Sequence, residues 1–298
     1  MHLMMRSTKS EAKPRLNAFS FEAIGTHWLI EHDLDSVTIG QFILDRIELF
    51  DKAYSRFRED SIVSKISQQG GTFALPDDAA VLFDLYDQLY ESTSGLVTPL
   101  IGNTLSDAGY DARYSLSFTQ KTVAPEMSFV MKREGNMVTL SEPVLIDIGA
   151  AGKGYLVDII AGLITDAGAT KFIINAGGDI LVSSGDGMTQ VALEHPKDAS
   201  QAIGIASIRS GSICGSSIYL RSWGSHHHVI NPKTGESPMH IQAVWVYAKN
   251  ALTADGISTA LFFEKPQKLK TRFDFEYAIM NADNSLHYSR NFPATFFE

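Results

Sequence analysis

From Phe19 to Tyr288 the chain intersperses amphipathic helical stretches with short β-branched and aromatic runs, without regular strand–helix–strand alternation. No internal repeat accompanies them, and no stretch rich in Pro, Gly or Ser divides the chain. That pattern argues for one compact α+β domain over residues 18–298 rather than a doubly wound sheet or two linked units.

The local signals can be read one by one. Residues 19–31 are two short strands around Gly25. Ile39, Phe42, Ile43, Ile47 and Phe50 recur at helical spacing and predict a helix to about Tyr54. Val81, Leu82, Leu85 and Leu89 predict a second, opened by Pro76-Asp77-Asp78, and residues 156–164 a third, stopped by Gly168. Residues 119–140 alternate like strands, with a hairpin turn at 134–136. Phe172-Ile173-Ile174 is a buried strand running into Gly177-Gly178, and strands follow at 191–194, 202–208, 229–230 and 243–248. A helix over about 254–263, capped by Thr253, interrupts them, and 277–288 closes as a hairpin over Asp283-Asn284.

Composition narrows the function. Twenty-five Lys and Arg against 34 Asp and Glu leave a net charge of −9, so the chain has no overall attraction for nucleic acid. Cys214 is the only cysteine, which excludes an internal disulfide and any Cys-rich zinc or iron–sulfur site. Residues 1–17 are polar, basic and Pro-containing, without a signal-peptide core or a lipid-attachment cysteine. They read as a disordered leader, and the expectation is a cytoplasmic protein without a membrane anchor.

Four segments concentrate chemistry. Residues 147–155 (DIGAAGKGY) place three glycines around Lys153: backbone amides and one cation that suit a phosphate, or simply a strand-to-helix turn with a solvated lysine. It is no P-loop, since Asp147 and Gly154 stand where that pattern needs Gly and Ser or Thr. Residues 175–179 (NAGGD) let a ligand or another backbone come close, or form a turn in which Asp179 caps the next segment. In His226-His227-His228 a zinc pair lacks a third ligand of suitable spacing. His228 is the functional candidate, because the rigid turn 231–235 (NPKTG) comes directly after it. Asp255 and Thr259 are i and i+4, projecting two hard oxygen donors from one helical face toward magnesium, or else serving only the helix. Cys214, with no activating base apparent, reads as a packing residue.

In order, these segments resemble the ApbE family of FAD:protein FMN transferases over nearly the whole chain. The resemblance is carried by Gly25-Thr26, by Ser55 to Ser61 (SRFREDS), by Thr93-Ser94-Gly95 with Thr98-Pro99, and by the 147–155 and 175–179 loops. His228 with Asn231-Pro232 and Thr234-Gly235, and Ala254-Asp255 with Thr259-Ala260, complete it. It implies a mixed, mainly antiparallel α+β architecture related to the T-fold. It implies Mg²⁺-dependent transfer of the FMN half of FAD onto a threonine of an acceptor flavoprotein, with release of AMP. The acceptor threonine would lie in a D-x-x-[GS]-A-T-like sequence; residues 166–170 (DAGAT) look like one, but read as a helix stop and a strand start. FAD hydrolysis to FMN and AMP, or FAD binding without turnover, would use the same residues.

By the same resemblance His228 and Asp255 are catalytic, and Asp255, Thr259 and the carbonyl of Gly152 are metal ligands. Gly25, Thr26, Ser61, Lys153, Asn175, Gly177, Gly178, Asp179 and Ser216 are expected at the nucleotide. The chain departs from the family pattern at Ile24 (commonly Met), Thr98 (Asp), Gly152 (Ala) and Gly215-Ser216-Ser217 (T-S-G). The family is usually an exported lipoprotein, against the leader read here.

Overall fold

In this computed structural model the described residues are 16–34, 39–219 and 221–297. The leader expected over 1–17 lies outside them except for its last two residues, and Asn17 already pairs with His32.

Strands β1 (Asn17–Ala23) and β2 (Thr26–His32) form a hairpin tipped by Ile24 and Gly25. The sheet continues through β6 (Phe172–Ala176), β7 (Asp179–Ser183), β10 (Ser210–Ser217), β13 (Ile241–Ala248), β14 (Glu276–Asn281) and β15 (Leu286–Tyr288). Every pairing is antiparallel, and the sheet stays open, so the mixed, mainly antiparallel expectation holds.

Helices cover one face of this sheet. They are α1 (Ile39–Tyr54), α2 (Ile62–Ile66), α3 (Ala79–Ser92), α6 (Gly152–Asp166) and α7 (Ala251–Ala260), with short α4 (Gly102–Asp107), α5 (Met127–Val130) and α8 (Pro266–Leu269) at the margins. The other face carries a three-stranded sheet of β16 (Ala294–Phe296), β9 (Asp198–Ile208) and β8 (Thr189–His195). A second small sheet joins β3 (Gly71–Ala74), β5 (Met137–Leu140) and β4 (Met131–Glu134), and β11 (Ser222–Trp223) pairs with β12 (His226–His227). Strand β13 shows the two-core logic: Val244 and Val246 pack with the helices, while Ala243 and Trp245 pack with Val191 and Leu193.

Two features position the site. Gly154 of α6 lets α7 lie against it: a Cβ there would sit 2.2 Å from the Ala251 carbonyl oxygen. Asp158 of α6 then accepts from the Ala251 and Leu252 amides, 2.8 Å each, tying the start of α7 down, although burial pushes its pKa up to about 6.

Several expectations change. Residues 119–126 form no strand; their amides and side chains bond instead to Asp107 and to the Pro232 carbonyl. Val229 and Ile230 are buried but pair with no strand. The cap of α7 is Asn250, whose side chain accepts from Thr253 N, so Asp255 lies one turn inside the helix. Strands β7 and β10 appear where none was expected. In β10 the small side chains make room for α7: Ser216 Oγ lies 2.7 Å from Ser258 Oγ, and Cys214 Sγ 3.7 Å from the Ala251 carbonyl. No described helix is long and apolar enough to cross a membrane.

Candidate active site

A cavity of about 480 Å³ opens where the β1–β2 tip, the β6–β7 turn and the beginning of α6 meet one face of α7. That volume suits a nucleotide-sized ligand. Its floor is set by close approach. Gly177, at φ +58 in the β6–β7 turn, faces Thr26, and a Cβ there would lie 1.8 Å from Thr26 Oγ1.

At one end stand the oxygen donors. Asp255 and Thr259 both line the cavity from α7. Asp255 Oδ2 accepts from Gly154 N at 2.9 Å, and Thr259 Oγ1 lies 3.5 Å from the carbonyl oxygen of Ala150. Burial, then the nearby Asp179 carboxylate, push the Asp255 pKa well above the ordinary carboxylate value, against Lys153 and the Gly154 amide. A buried carboxylate disfavoured as a lone anion, beside a hydroxyl and a carbonyl, is a donor set that fits a divalent hard cation. Gly152 also lines the wall, but it opens α6, so its carbonyl enters the helical ladder; the carbonyl beside Thr259 is that of Ala150.

Lys153 lines the cavity while its ammonium closes on Asp179 and donates to the Ala176 carbonyl at 3.1 Å. Desolvation works to lower its pKa, but Asp179 and Asp255 hold it above the usual value, so it stays a cation. Asp147, in turn, is held by Arg56, whose guanidinium lies 4.2 and 4.8 Å from the Phe57 and Tyr110 ring centres. Arg56 is buried and lines the cavity, and among the described residues its Nη2 has no partner.

The β11/β12 ladder, with Ser222 opposite His227, sets Arg221 across from His228, and His228 N donates to the Arg221 carbonyl at 3.0 Å. Both side chains line the cavity. Burial, the Arg221 guanidinium and His227 bring the His228 pKa down to about 3, so the imidazole is neutral, and its Nδ1 has no partner among the described residues. The other two histidines are engaged elsewhere. His227 bonds the Pro238 carbonyl at 2.8 Å, and His226 stacks between Trp223 and Phe118. Among the described residues no three His, Cys, Asp or Glu side chains cluster as a metal site.

Gly25, Thr26, Gly152, Lys153, Gly177 and Ser216 therefore lie in the cavity wall with His228, Asp255 and Thr259. The other expected nucleotide contacts do not. Ser61 is buried as the cap of α2, accepting from Ser64 N at 3.0 Å. Asn175 accepts from Gly178 N to close the turn, Gly178 faces solvent, and Asp179 is fully buried behind Lys153. Arg56 lies in the Ser55–Ser61 segment, which the resemblance implies helps shape the flavin nucleotide site, and Ser55 to Arg58 do line the cavity. Tyr110, Tyr114 and Arg221 were not singled out from the sequence, and the two tyrosines lie on irregular chain with no periodicity to mark them.

Residues 24–278 match the sequence model of the ApbE family. The FAD:protein FMN transferase of Klebsiella pneumoniae (strain 342) is 23% identical over 273 residues, covering 83% of this chain and 78% of that one. That of Vibrio cholerae is 25% identical over 246 residues, covering 76% of this chain and 73% of that one. Among solved structures, the ApbE protein of Thermotoga maritima superposes with a TM-score of 0.79 at 21% identity, covering 93% of this chain and 97% of that chain. The flavin transferase ApbE of Vibrio cholerae gives 0.76 at 20% identity, covering 93% and 98%.

Proposed function

The chain belongs to the ApbE family, and on that premise we propose that it transfers the FMN half of FAD onto a threonine hydroxyl of an acceptor flavoprotein, releasing AMP. The observation that carries the reading is one cavity holding hard oxygen donors on α7 and, opposite, a neutral imidazole beside an arginine. The names of the relatives, FAD:protein FMN transferases, support the same substrates.

His228 is the base. It takes the proton of the acceptor hydroxyl as that oxygen bonds the FMN-side phosphorus; the anhydride P–O bond breaks and AMP leaves with the bridging oxygen. A pKa near 3 keeps the imidazole free to accept, and an anionic diphosphate beside it would draw that value upward. Arg221, Lys153 and Arg56 Nη2 are the cationic groups available to the phosphates and ring oxygens. Mg²⁺, held by Asp255, Thr259 and the Ala150 carbonyl, would neutralise charge on the departing AMP.

The test is purified protein with FAD, Mg²⁺ and a threonine-bearing acceptor. Covalent FMN and AMP should appear together, and Asp255→Ala and His228→Gln should each remove both. AMP formed equally with and without acceptor, and no covalent flavin, would make the protein an FAD hydrolase instead.

A further inference from the structure

Resting on the transferase reading above, we propose that residues 109–124 form the docking ridge for the acceptor, taking the apolar part of its chain beside the threonine to be modified. Tyr114, Leu116, Phe118 and Val123 are 51%, 47%, 53% and 53% exposed. Four half-bare apolar side chains on one short segment are a contiguous patch of the kind that marks an interaction site.

The backbone is held so as to present them. Tyr114 and Leu116 both sit at φ +51, a left-handed conformation that costs free energy at a non-glycine residue, and yet about half of each side chain stays exposed. Asp111 Oδ1 accepts from Arg113 N and Ser115 N at 2.9 and 3.0 Å. The Asp107 carbonyl accepts from Thr119 N at 2.9 Å and its carboxylate from Gln120 Nε2 at 2.9 Å, while Ala124 N reaches the Pro232 carbonyl at 2.8 Å. These bonds fix the segment before any partner arrives. Lys121 pairs with Glu236 at 2.7 Å, while the exposed Arg113 guanidinium has no ion-pair partner among the described residues, so the ridge offers one cation beside its apolar side chains.

The ridge is continuous with the catalytic mouth. Tyr114 lines the cavity and stacks on Phe57, ring centres 5.1 Å apart. At the other end Phe118 stacks on His226 at 5.6 Å, two residues before His228. Leu116, Phe118 and Val123 do not line the cavity, so a nucleotide bound there leaves them bare. A threonine reaching His228 from this side brings its flanking residues across them.

The test uses the full chain with FAD and Mg²⁺, and an extract of source cells lacking this gene as the acceptor pool. Labelling is read as the initial rate of covalent flavin fluorescence in denaturing gels. Leu116→Ser/Phe118→Ser should slow labelling at least about tenfold, leaving FAD affinity by fluorescence titration and acceptor-free FAD cleavage within about twofold. Phe118→Leu should restore most of the rate. If the double variant loses its thermal transition, Val123→Ser, with an expected loss of about threefold, reads the same surface. Unchanged labelling, a loss shared equally by FAD affinity, or a change of oligomeric state in the variants would overturn the proposal. Wild-type protein that cleaves FAD yet labels nothing would refute the transferase reading itself, and the ridge with it.

Discussion

The contact of α6 with α7 positions Asp255 and Thr259, the proposed metal donors, and Gly154→Ala tests it. The new methyl carbon would start 2.2 Å from the Ala251 carbonyl oxygen and 2.7 Å from Asp255 Cβ, where ordinary contact begins at 3.4 Å. Neither neighbour is a flexible side-chain end, so the helices must part by roughly 1 Å, an overpacking that costs about 1–3 kcal/mol. For a chain of this size that lowers Tm by roughly 2–10 °C. Asp255 moves with α7 and loses its 2.9 Å bond from Gly154 N. A displacement of ~1 Å at a catalytic group can lower turnover by about 100-fold. Gly162→Ala is the control, because that glycine lies on the same helix with nothing within 4 Å of the added atom. It should gain about 0.5–1 kcal/mol from helix propensity and leave turnover unchanged. Thermal unfolding and AMP release, each titrated with Mg²⁺, give both quantities. Gly154→Ala protein with wild-type Tm and wild-type AMP release would refute the claim that this crossing positions the donors.

Other outcomes come from single environments. His228 is neutral in the fold down to about pH 3, so above pH ~6.5 it contributes nothing to pH dependence, while below that the unfolded chain binds a proton the fold refuses. Stability should therefore fall with pH in that window, by up to ~1.4 kcal/mol per unit, and urea unfolding should show wild type losing ground to His228→Gln between pH 7.5 and 5. Ile24 sits at φ +44 in the β1–β2 tip with its half-buried side chain against the core, so Ile24→Asn should unfold at a higher Tm than Ile24→Ala, which loses the same packing but keeps about 1 kcal/mol more backbone strain. Asp158→Ala removes both side-chain bonds to the first amides of α7 and should cost about 1–2 kcal/mol in urea unfolding at pH 7.5.

What could be read from the chain, and what could not, divides along physical lines. Helices α1, α3 and α6 were legible because each buries a stripe at helical period. Strand β10 was not, because Ser210-Gly211-Ser212 and Gly215-Ser216-Ser217 carry no alternating apolar signal; Ser216 is small where α7 approaches and Gly211 and Gly215 where β13 does, a tertiary demand. The i, i+4 spacing put Asp255 and Thr259 on one face of α7 but left a purely helical role open; only the family resemblance pointed to a metal. The carbonyl partner was not legible, since nothing local says that Ala150 rather than Gly152 ends beside Thr259. Motif membership likewise did not separate lining from support: Gly177 faces the cavity, while Asn175 and Asp179 in the same five residues hold the turn and the lysine.

That support has a consequence for the metal. Lys153 is shared by two carboxylates, and Asp179, fully buried, has claimed it. Asp255 therefore touches no cation among the described residues; burial, then the Asp179 carboxylate, hold its pKa well up, and its oxygens are left open to a divalent ion. Without Asp179, the ammonium is free to swing to Asp255 and occupy the place of the ion. Asp179→Asn removes no cavity-lining group, yet it should weaken Mg²⁺ binding by about tenfold, roughly 1.4 kcal/mol, from this competition. Lys153→Met added to it should restore the affinity, since the competitor is gone. Isothermal titration of Mg²⁺ into wild type, the single and the double variant separates the cases. If the single variant binds Mg²⁺ as the wild type does, Asp179 serves the fold of the β6–β7 turn and has no part in setting the charge at Asp255.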